Sequence, residues 1–403
     1  YSVLGTRYSV LGTRYSVLST PMYTVQDKQT SALTVEVGPY DAALPGPMLL
    51  RLGLQAGGGN SPLGWSTRIA GAELELGYNR VGLEERAAFG SLDWGQGLAM
   101  VESLCGSCSQ ANALAYAQAV EDLSGAIVPP RAAYLRLVLA ETERVTSHLL
   151  NVAGTLHMLG YTDREAALRD LRERILQALG DLTGARVQPG LIVYGGVSRN
   201  LDEASCRAYT IAARNIERAL RGHIRSLIKD REIARRLTGL GKVTAQEAAF
   251  AGLRGPVARA AGVTYDIRAH FPTGAYEEEA VTVVVQRAGD AYARLVVRLL
   301  ECLESFRVME QALDDLPAGP ARSRGSLEFG LGAGGSGIGR VEGPRGEVFC
   351  WVRGNSEGLQ GLHLSSGSQA TLGVLPGLLV GTELDDLSLL LLSLDLCLPC
   401  AER

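Results

Sequence analysis

Long apolar stripes separated by glycine and proline breaks organise this chain. Over residues 131–159, Leu135, Leu139, Val145, Leu149 and Val152 recur near helical spacing and predict one long helix just after the Pro129-Pro130 break. Further helices are predicted over 163–179, 202–236 and 287–313, the last with Leu295, Leu299, Cys302, Phe306 and Met309 on one stripe. Residues 109–123 (SQANALAYAQAVEDL) are alanine-rich and read as helix. The pattern changes over 31–90, where apolar and polar positions alternate and turn formers abound; 31–38, 48–54 and 70–76 read as strands. Residues 347–353 read as a strand, 325–339 as a glycine-rich loop, and 374–380 and 387–394 as short helices. The sum is an α+β chain, mainly α, with a central long-helix bundle and a small peripheral β-sheet. Its expected parts are an N-terminal extension (1–30), a small β-rich region (31–100), a helical body (101–320) and a C-terminal region (321–403).

Composition changes this picture little. Hydrophobic residues make up 46% and charged residues 20%, as in ordinary globular chains, and a net charge of −4 without a basic patch argues against a nucleic-acid partner. The most apolar stretch, 371–394, is interrupted by Glu383, Asp385 and Asp386, so no direct membrane span is expected. No basic region followed by an apolar run suggests a signal peptide. Residues 1–7 recur as 8–14, and 15–18 begin a third copy; two heptamers are too short for a solenoid and carry no functional assignment.

The cysteines carry the chemistry. Cys206, Cys302 and Cys350 are scattered singly and read as buried small hydrophobes. The pattern is unlike a disulfide framework and points to a reducing compartment. The other four form two CxxC pairs, Cys105-Gly106-Ser107-Cys108 and Cys397-Leu398-Pro399-Cys400. Cys105 and Cys108 stand at a loop-to-helix junction, where the helix N-terminus lowers thiol pKa and both thiolates can face one metal. Two unrelated turns, a redox disulfide, structural zinc and a bimetallic centre all remain open on this spacing.

The surrounding motifs add a resemblance. Ser109 follows the first pair, and Asp395 stands two residues before the second. Between them lie Gly77-Tyr78 with Gly82-Leu83-Glu84, Glu143-Arg144 with Ser147-His148-Leu149, and Gly195-Gly196-Val197. Gly255-Pro256 with Ala258-Arg259, Gly262, Asp266 and Arg268 comes next, then Gly289-Asp290 with Arg294 and Arg298, and Gly343-Pro344-Arg345-Gly346-Glu347. In these collinear motifs the chain resembles the large, catalytic subunit of nickel–iron hydrogenases, of the group 4 energy-converting type related to the complex I 49-kDa subunit. It looks like a divergent member.

The resemblance implies a hydrogenase large-subunit fold in which the C-terminal region returns to the metal site. Cys105, Cys108, Cys397 and Cys400 would hold nickel, with Cys108 and Cys400 also bridging to an iron that carries carbon monoxide and cyanide. Hydrogen would be split heterolytically, with Cys397 as the base, Arg345 above the open metal position and Asp395 orienting it. Glu84 matches a carboxylate near the metal pocket. Ser365 and Ser366 fall where the family binds the cyanide ligands and can donate hydrogen bonds. A magnesium ion near the C-terminus belongs to the same expectation. So does an end at Arg403, which would be that of a proteolytically matured subunit. His148 reads as a packing or subunit-contact residue, and the other histidines show no ligand spacing.

Implied partners are an iron–sulfur small subunit, which would hold the iron–sulfur clusters, and further soluble and membrane subunits of a complex I-like assembly. The chain would sit on the cytoplasmic side of the cell membrane, peripheral through those partners. The alternative is a hydrogenase-like scaffold coupled to quinone or ferredoxin, with no hydrogen chemistry. The family pattern changes at four places near the chemistry: its histidine after the first pair is Asn112, an arginine before that pair is Ser103, and the proline before Cys397 is Leu396. Its proton-gate glutamate falls at Gly46, with Asp41 the nearest substitute.

Overall fold

The computed structural model describes residues 23–26, 32–39, 46–56, 65–90, 92–187, 190–323 and 334–403. The N-terminal repeat and Asp41 lie outside them. An antiparallel sheet of β1 (Tyr23–Gln26), β2 (Ala32–Val37), β3 (Leu49–Ala56) and β4 (Trp65–Glu75) comes first. Helices α1 (Leu83–Ala88), α2 (Trp94–Ser103), α3 (Ser109–Ser124), α4 (Pro130–Met158) and α5 (Thr162–Thr183) follow. After a short hairpin, β5 (Ile192–Val193) and β6 (Gly196–Val197), come α6 (Glu203–Ile228), α7 (Arg231–Leu237), α8 (Ala245–Phe250), α9 (Gly255–Ala260), α10 (Ile267–His270) and α11 (Ala291–Asp314). A second antiparallel sheet, β7 (Gly335–Gly343), β8 (Gly346–Asn355) and β9 (Gly358–Ser365), precedes α12 (Gly367–Leu379), α13 (Leu387–Leu394) and α14 (Leu398–Glu402).

The axis is α4, which is buried around its whole circumference rather than along one stripe. It packs against α5 and α11, and α6 closes the bundle against both of these. Its apolar face, with Leu135, Val145, Leu149 and Leu156, is fully buried. So are Glu141, Arg144 and His148 on its other faces. These polar groups are matched: Arg268 reaches Glu141 at 3.0 Å and Asp266 at 2.7 Å, and Arg259 reaches Glu301 and Glu342, each at 2.7 Å. The network ties α4, α9, α10, α11 and β7 into one body, because each buried charge needs its partner. His148 is not at a surface. Its Nε2 meets Glu301 at 2.9 Å, and burial draws its pKa down to about 4, so the ring is neutral near neutral pH.

Three expectations change. The helix predicted over 202–236 is two helices, because Asp230 accepts from Glu232 N at 3.0 Å and Ile233 N at 3.1 Å and so caps a new start. The β-structure is not confined to one peripheral sheet. Residues 335–339, read as part of a glycine loop, begin strand β7, which lies directly on α3. Alternate glycines permit this approach. A Cβ on Gly337 would strike Ala119 O, and one on Gly339 would strike Ala115 O. The strand's outer amides are satisfied by the same helix: Asp122 accepts from Ile338 N at 2.9 Å and Gln118 from Arg340 N at 3.1 Å. The alanine-rich face of α3 supplies the matching flat surface.

Gly339→Ala is therefore expected to destabilise the protein by about 3 kcal/mol or more, the upper end of overpacking costs. Gly373→Ala, on an exposed turn of α12 with nothing within 4 Å of its Cβ, should stabilise by about 0.5–1 kcal/mol. Urea midpoints of the two variants check both signs.

Candidate metal centre

Two helix starts meet at the four cysteines. Cys108 is the N-cap of α3 and Cys397 the N-cap of α14, whose interior carries Cys400. The pairs are brought together across 292 residues of chain, Cys397 Sγ lying 3.3 Å from Cys105 Sγ. All four sulfurs lie within 4.8 Å of one another. Tetrahedral thiolate coordination at ~2.3 Å puts sulfurs roughly 3.8 Å apart, so the cluster fits one soft ion or a slightly spread bimetallic set. No disulfide forms, and Cys108, Cys397 and Cys400 are buried while Cys105 is half-buried. Bonds from the neighbouring thiols of Cys108, Cys397 and Cys400 hold the Cys105 thiol far below its ordinary pKa. Cys108 and Cys400 are pushed up by the same sharing. One thiolate stabilised by its neighbours is the behaviour of a site that needs a cation to ionise fully.

The returning tail is held at many points. Asn151 Nδ2 donates to Leu392 O at 2.8 Å at the end of α13. Asp395 then turns the chain with φ 55°, the one left-handed non-glycine among the described residues. Cys397 N donates to Ser368 Oγ at 3.0 Å. Glu402 accepts from Gly77 N at 2.9 Å and Asn79 N at 2.6 Å.

Arg345 sits in the β7–β8 turn and crosses from this tail to the first cysteine pair. Its Nη1 donates to Cys108 Sγ at 3.0 Å, its Nη2 to Asp395 Oδ1 at 2.9 Å and its Nε to Asp395 O at 2.8 Å. Burial works against its charge, but Asp395 and the cysteines more than compensate and raise its pKa. Its backbone is gripped between two glycines: a Cβ on Gly255 would come 2.5 Å from Arg345 O, and one on Gly367 would strike the same oxygen.

The remaining expected residues fall around this core. Ser365 Oγ donates to Gln369 Oε1 at 2.7 Å, whereas Ser366 Oγ is buried without a partner. Glu84 makes no contact with a cysteine among the described residues. It accepts from Arg403 Nε at 2.8 Å and meets His363 Nδ1 at 3.0 Å, and so holds the tail. Gly46 lies against α14, where a Cβ would be 2.8 Å from Asn79 Nδ2 and 3.3 Å from Pro399 Cδ. The Asn79 amide fills the space a longer side chain would need.

Several site residues carry no motif that marks them as such in the sequence. Ser368 anchors Cys397. Asn112, legible in the sequence only as a departure from the family pattern, is fully buried and donates from Nδ2 to Cys400 Sγ at 3.4 Å, with its Oδ1 unpartnered. Glu143 caps α3 from the neighbouring helix, accepting from Gln110 N at 2.8 Å, Ala111 N at 3.0 Å and Ser109 Oγ at 3.2 Å. The two amides are donors that Cys108, as N-cap, leaves unsatisfied. The helix start at Ser109 was the available signal, but which side chain would cap it was not visible.

The family described as respiratory-chain NADH dehydrogenase, 49 Kd subunit, matches residues 159–330. The chain is 28% identical to the carbon monoxide-induced hydrogenase of Rhodospirillum rubrum, over 93% of this chain and 100% of that protein. It is 31% identical to a subunit of the F(420)H(2) dehydrogenase of Methanosarcina mazei, over 93% and 99% respectively. Its fold is similar to a chain of the membrane-bound sulfane sulfur reductase, an archaeal respiratory membrane complex, with a TM-score of 0.84, 27% identity, and 94% and 100% coverage.

Burial pushes the Glu143 pKa up to about 7 against its three hydrogen bonds. Between the ordinary value of 4.5 and about 7, the folded chain keeps a proton that the unfolded chain has released. Stability is therefore lost as pH rises through that window. Relative to Glu143→Gln, the metal-free protein should lose about 3 kcal/mol. Urea midpoints of both proteins at about pH 5 and about pH 7.5 measure this difference; parallel pH profiles would refute it.

Proposed function

The chain belongs to the family of the respiratory-chain NADH dehydrogenase 49-kDa subunit, and from that premise we propose that it is the catalytic large subunit of a nickel–iron hydrogenase complex. The observation that carries this reading is the four-sulfur cluster with a partly buried arginine on Cys108 Sγ. Cys105, Cys108, Cys397 and Cys400 would together hold the nickel–iron centre. The bound centre supplies reversible heterolytic cleavage of dihydrogen.

The protein's own groups do the rest. Cys397 Sγ takes and returns the proton. Arg345, fixed by Asp395, keeps a positive charge beside the sulfurs and polarises what lies next to it. The Ser366 hydroxyl would donate toward the cyanide groups, Ser365 braces the same turn by donating to Gln369, and Glu84 keeps the C-terminal residues closed over the site. The leucine-rich α13 and the buried sulfurs exclude bulk water. Electrons leave to an iron–sulfur small subunit, and membrane attachment comes from further partners, on the cytoplasmic face. No helix among the described residues is long and apolar enough to cross a membrane, which accords with a peripheral place.

The second reading is a complex I-like scaffold without hydrogen chemistry. Gly46 favours it, since the position against α14 holds no acid. Metal analysis of the matured complex separates the two. Near-stoichiometric nickel and iron, infrared bands of iron-bound carbon monoxide and cyanide, and hydrogen-dependent dye reduction support the hydrogenase. Properly matured protein without nickel sinks it, and zinc on the four thiolates supports the scaffold.

In the active complex, Arg345→Lys should lower turnover by about 10- to 100-fold with nickel content unchanged, because a lysine cannot donate to Cys108 and Asp395 in one plane. Dye-linked hydrogen uptake beside metal analysis reads this; unchanged turnover removes Arg345 from the mechanism.

A further inference from the structure

One guanidinium facing Asp395 is buried with only a loose partner. Arg298, on α11, is 1% exposed, and its Nε is a buried donor with no acceptor. Its one ion pair is loose, Nε lying 3.8 Å from Asp395 Oδ2. That oxygen is itself a buried acceptor with no donor. The neighbouring buried arginines differ. Arg294, one turn earlier, donates to Ser393 Oγ, Gly241 O, Gly289 O and Leu240 O at 2.8–3.2 Å. Arg259 is matched by Glu301 and Glu342. Burying a guanidinium costs several kcal/mol unless it is paired, and besides Asp395 the carboxylate that favours the Arg298 charge is Glu301 on the same helix, which is already engaged by Arg259 and His148.

The geometry around Asp395 offsets that cost. Its carboxylate stands between two guanidinium groups, Arg345 on Oδ1 at 2.9 Å and Arg298 facing Oδ2 at 3.8 Å. Asp395 also carries the left-handed backbone turn that delivers Cys397. With Arg345 alone, the carboxylate is held through Oδ1 only and could turn about it, loosening one of the two bonds by which Asp395 aims the guanidinium at Cys108. A cation on the other side removes that freedom. Four thiolates around a divalent ion are also left with net negative charge, which a second buried cation offsets.

We propose that Arg298 is a positioning residue for the metal centre: it holds Asp395 from the side opposite Arg345, and through Asp395 it sets the field that the four sulfurs feel. This rests on the reading that the cysteines bind a metal, though not on which metal.

The test uses two probes. Metal-free protein loaded with Co2+ shows sulfur-to-cobalt charge-transfer absorption whatever its native metal. Removing positive charge near the sulfurs raises their electron density, so Arg298→Met should move that band to longer wavelength, with Arg298→Lys restoring it most of the way. In the matured complex, Arg298→Met should lower the carbon monoxide stretching frequency and cut hydrogen turnover about 10-fold with nickel content kept. A cobalt band at the wild-type position in Arg298→Met overturns the proposal. If that variant does not fold, Arg298→Gln is read in the same way, and a wild-type band there overturns it too. Wild-type protein without nickel or hydrogen activity would defeat the reading of function above, while the cobalt band would still decide the role of Arg298.

Discussion

The contact on which this structure turns is Arg345 against Cys108, with Asp395 behind it. Four thiolates held within 4.8 Å repel one another. At an effective dielectric constant of ~20, each pair of full charges about 4 Å apart costs about 4 kcal/mol. Such a cluster forms only where the fold supplies positive charge or leaves some sulfurs protonated. Arg345 is the one arginine hydrogen-bonded to a cysteine sulfur among the described residues. Its place is set by backbone rather than by side-chain packing: Gly255 and Gly367 close on it so tightly that neither tolerates a Cβ.

The rest of the fold serves to bring that arginine, the first cysteine pair and the chain's tail to one point. Helix α4 provides the fixed frame, because its buried charges lock α9, α10, α11 and β7 together. Strand β7 lies on α3 through its glycines and so sets the β7–β8 turn beside Cys108. Helix α13 is pinned by Asn151 and Arg294 and delivers Asp395 and Cys397 from the other side. Each ligand comes from an element whose position is decided by buried groups elsewhere, which is how a centre spanning most of the chain becomes rigid.

The surroundings of the sulfurs differ from the family pattern in a way that geometry makes intelligible. Asn112 takes the place of a histidine yet still donates to Cys400. At Gly46 the Asn79 amide occupies the room that a gate carboxylate would need. Asn112 keeps a hydrogen-bond donor on a sulfur, and Gly46 offers no titratable group. Glu143, capping α3 with a pKa pushed up to about 7, is an acid near the centre that the family motifs did not single out as a proton carrier.

The helical body, the N-terminal strands and the two cysteine pairs were legible in the order of residues alone. Periodicity over 131–159 and 287–313 is legible because apolar residues recur along each helix, although both helices also bury polar faces, and a CxxC pair is a local pattern that needs no fold to be recognised. Arg345 and Asp395 were legible through their flanking motifs. Other features took shape only in three dimensions. The glycines of 335–339 read as a loop because their reason, the backbone of α3, lies more than 200 residues away. Asp230 breaks a helix because its side chain outcompetes continuation at that point, a local contest that apolar periodicity does not register. Ser368 lies in no motif, and the motifs that hold Glu143 and Arg298 do not say what those side chains face, because their partners are set by packing. Which charges face one another was settled by the folded chain alone, because a buried charge is defined by what surrounds it and not by its neighbours in sequence.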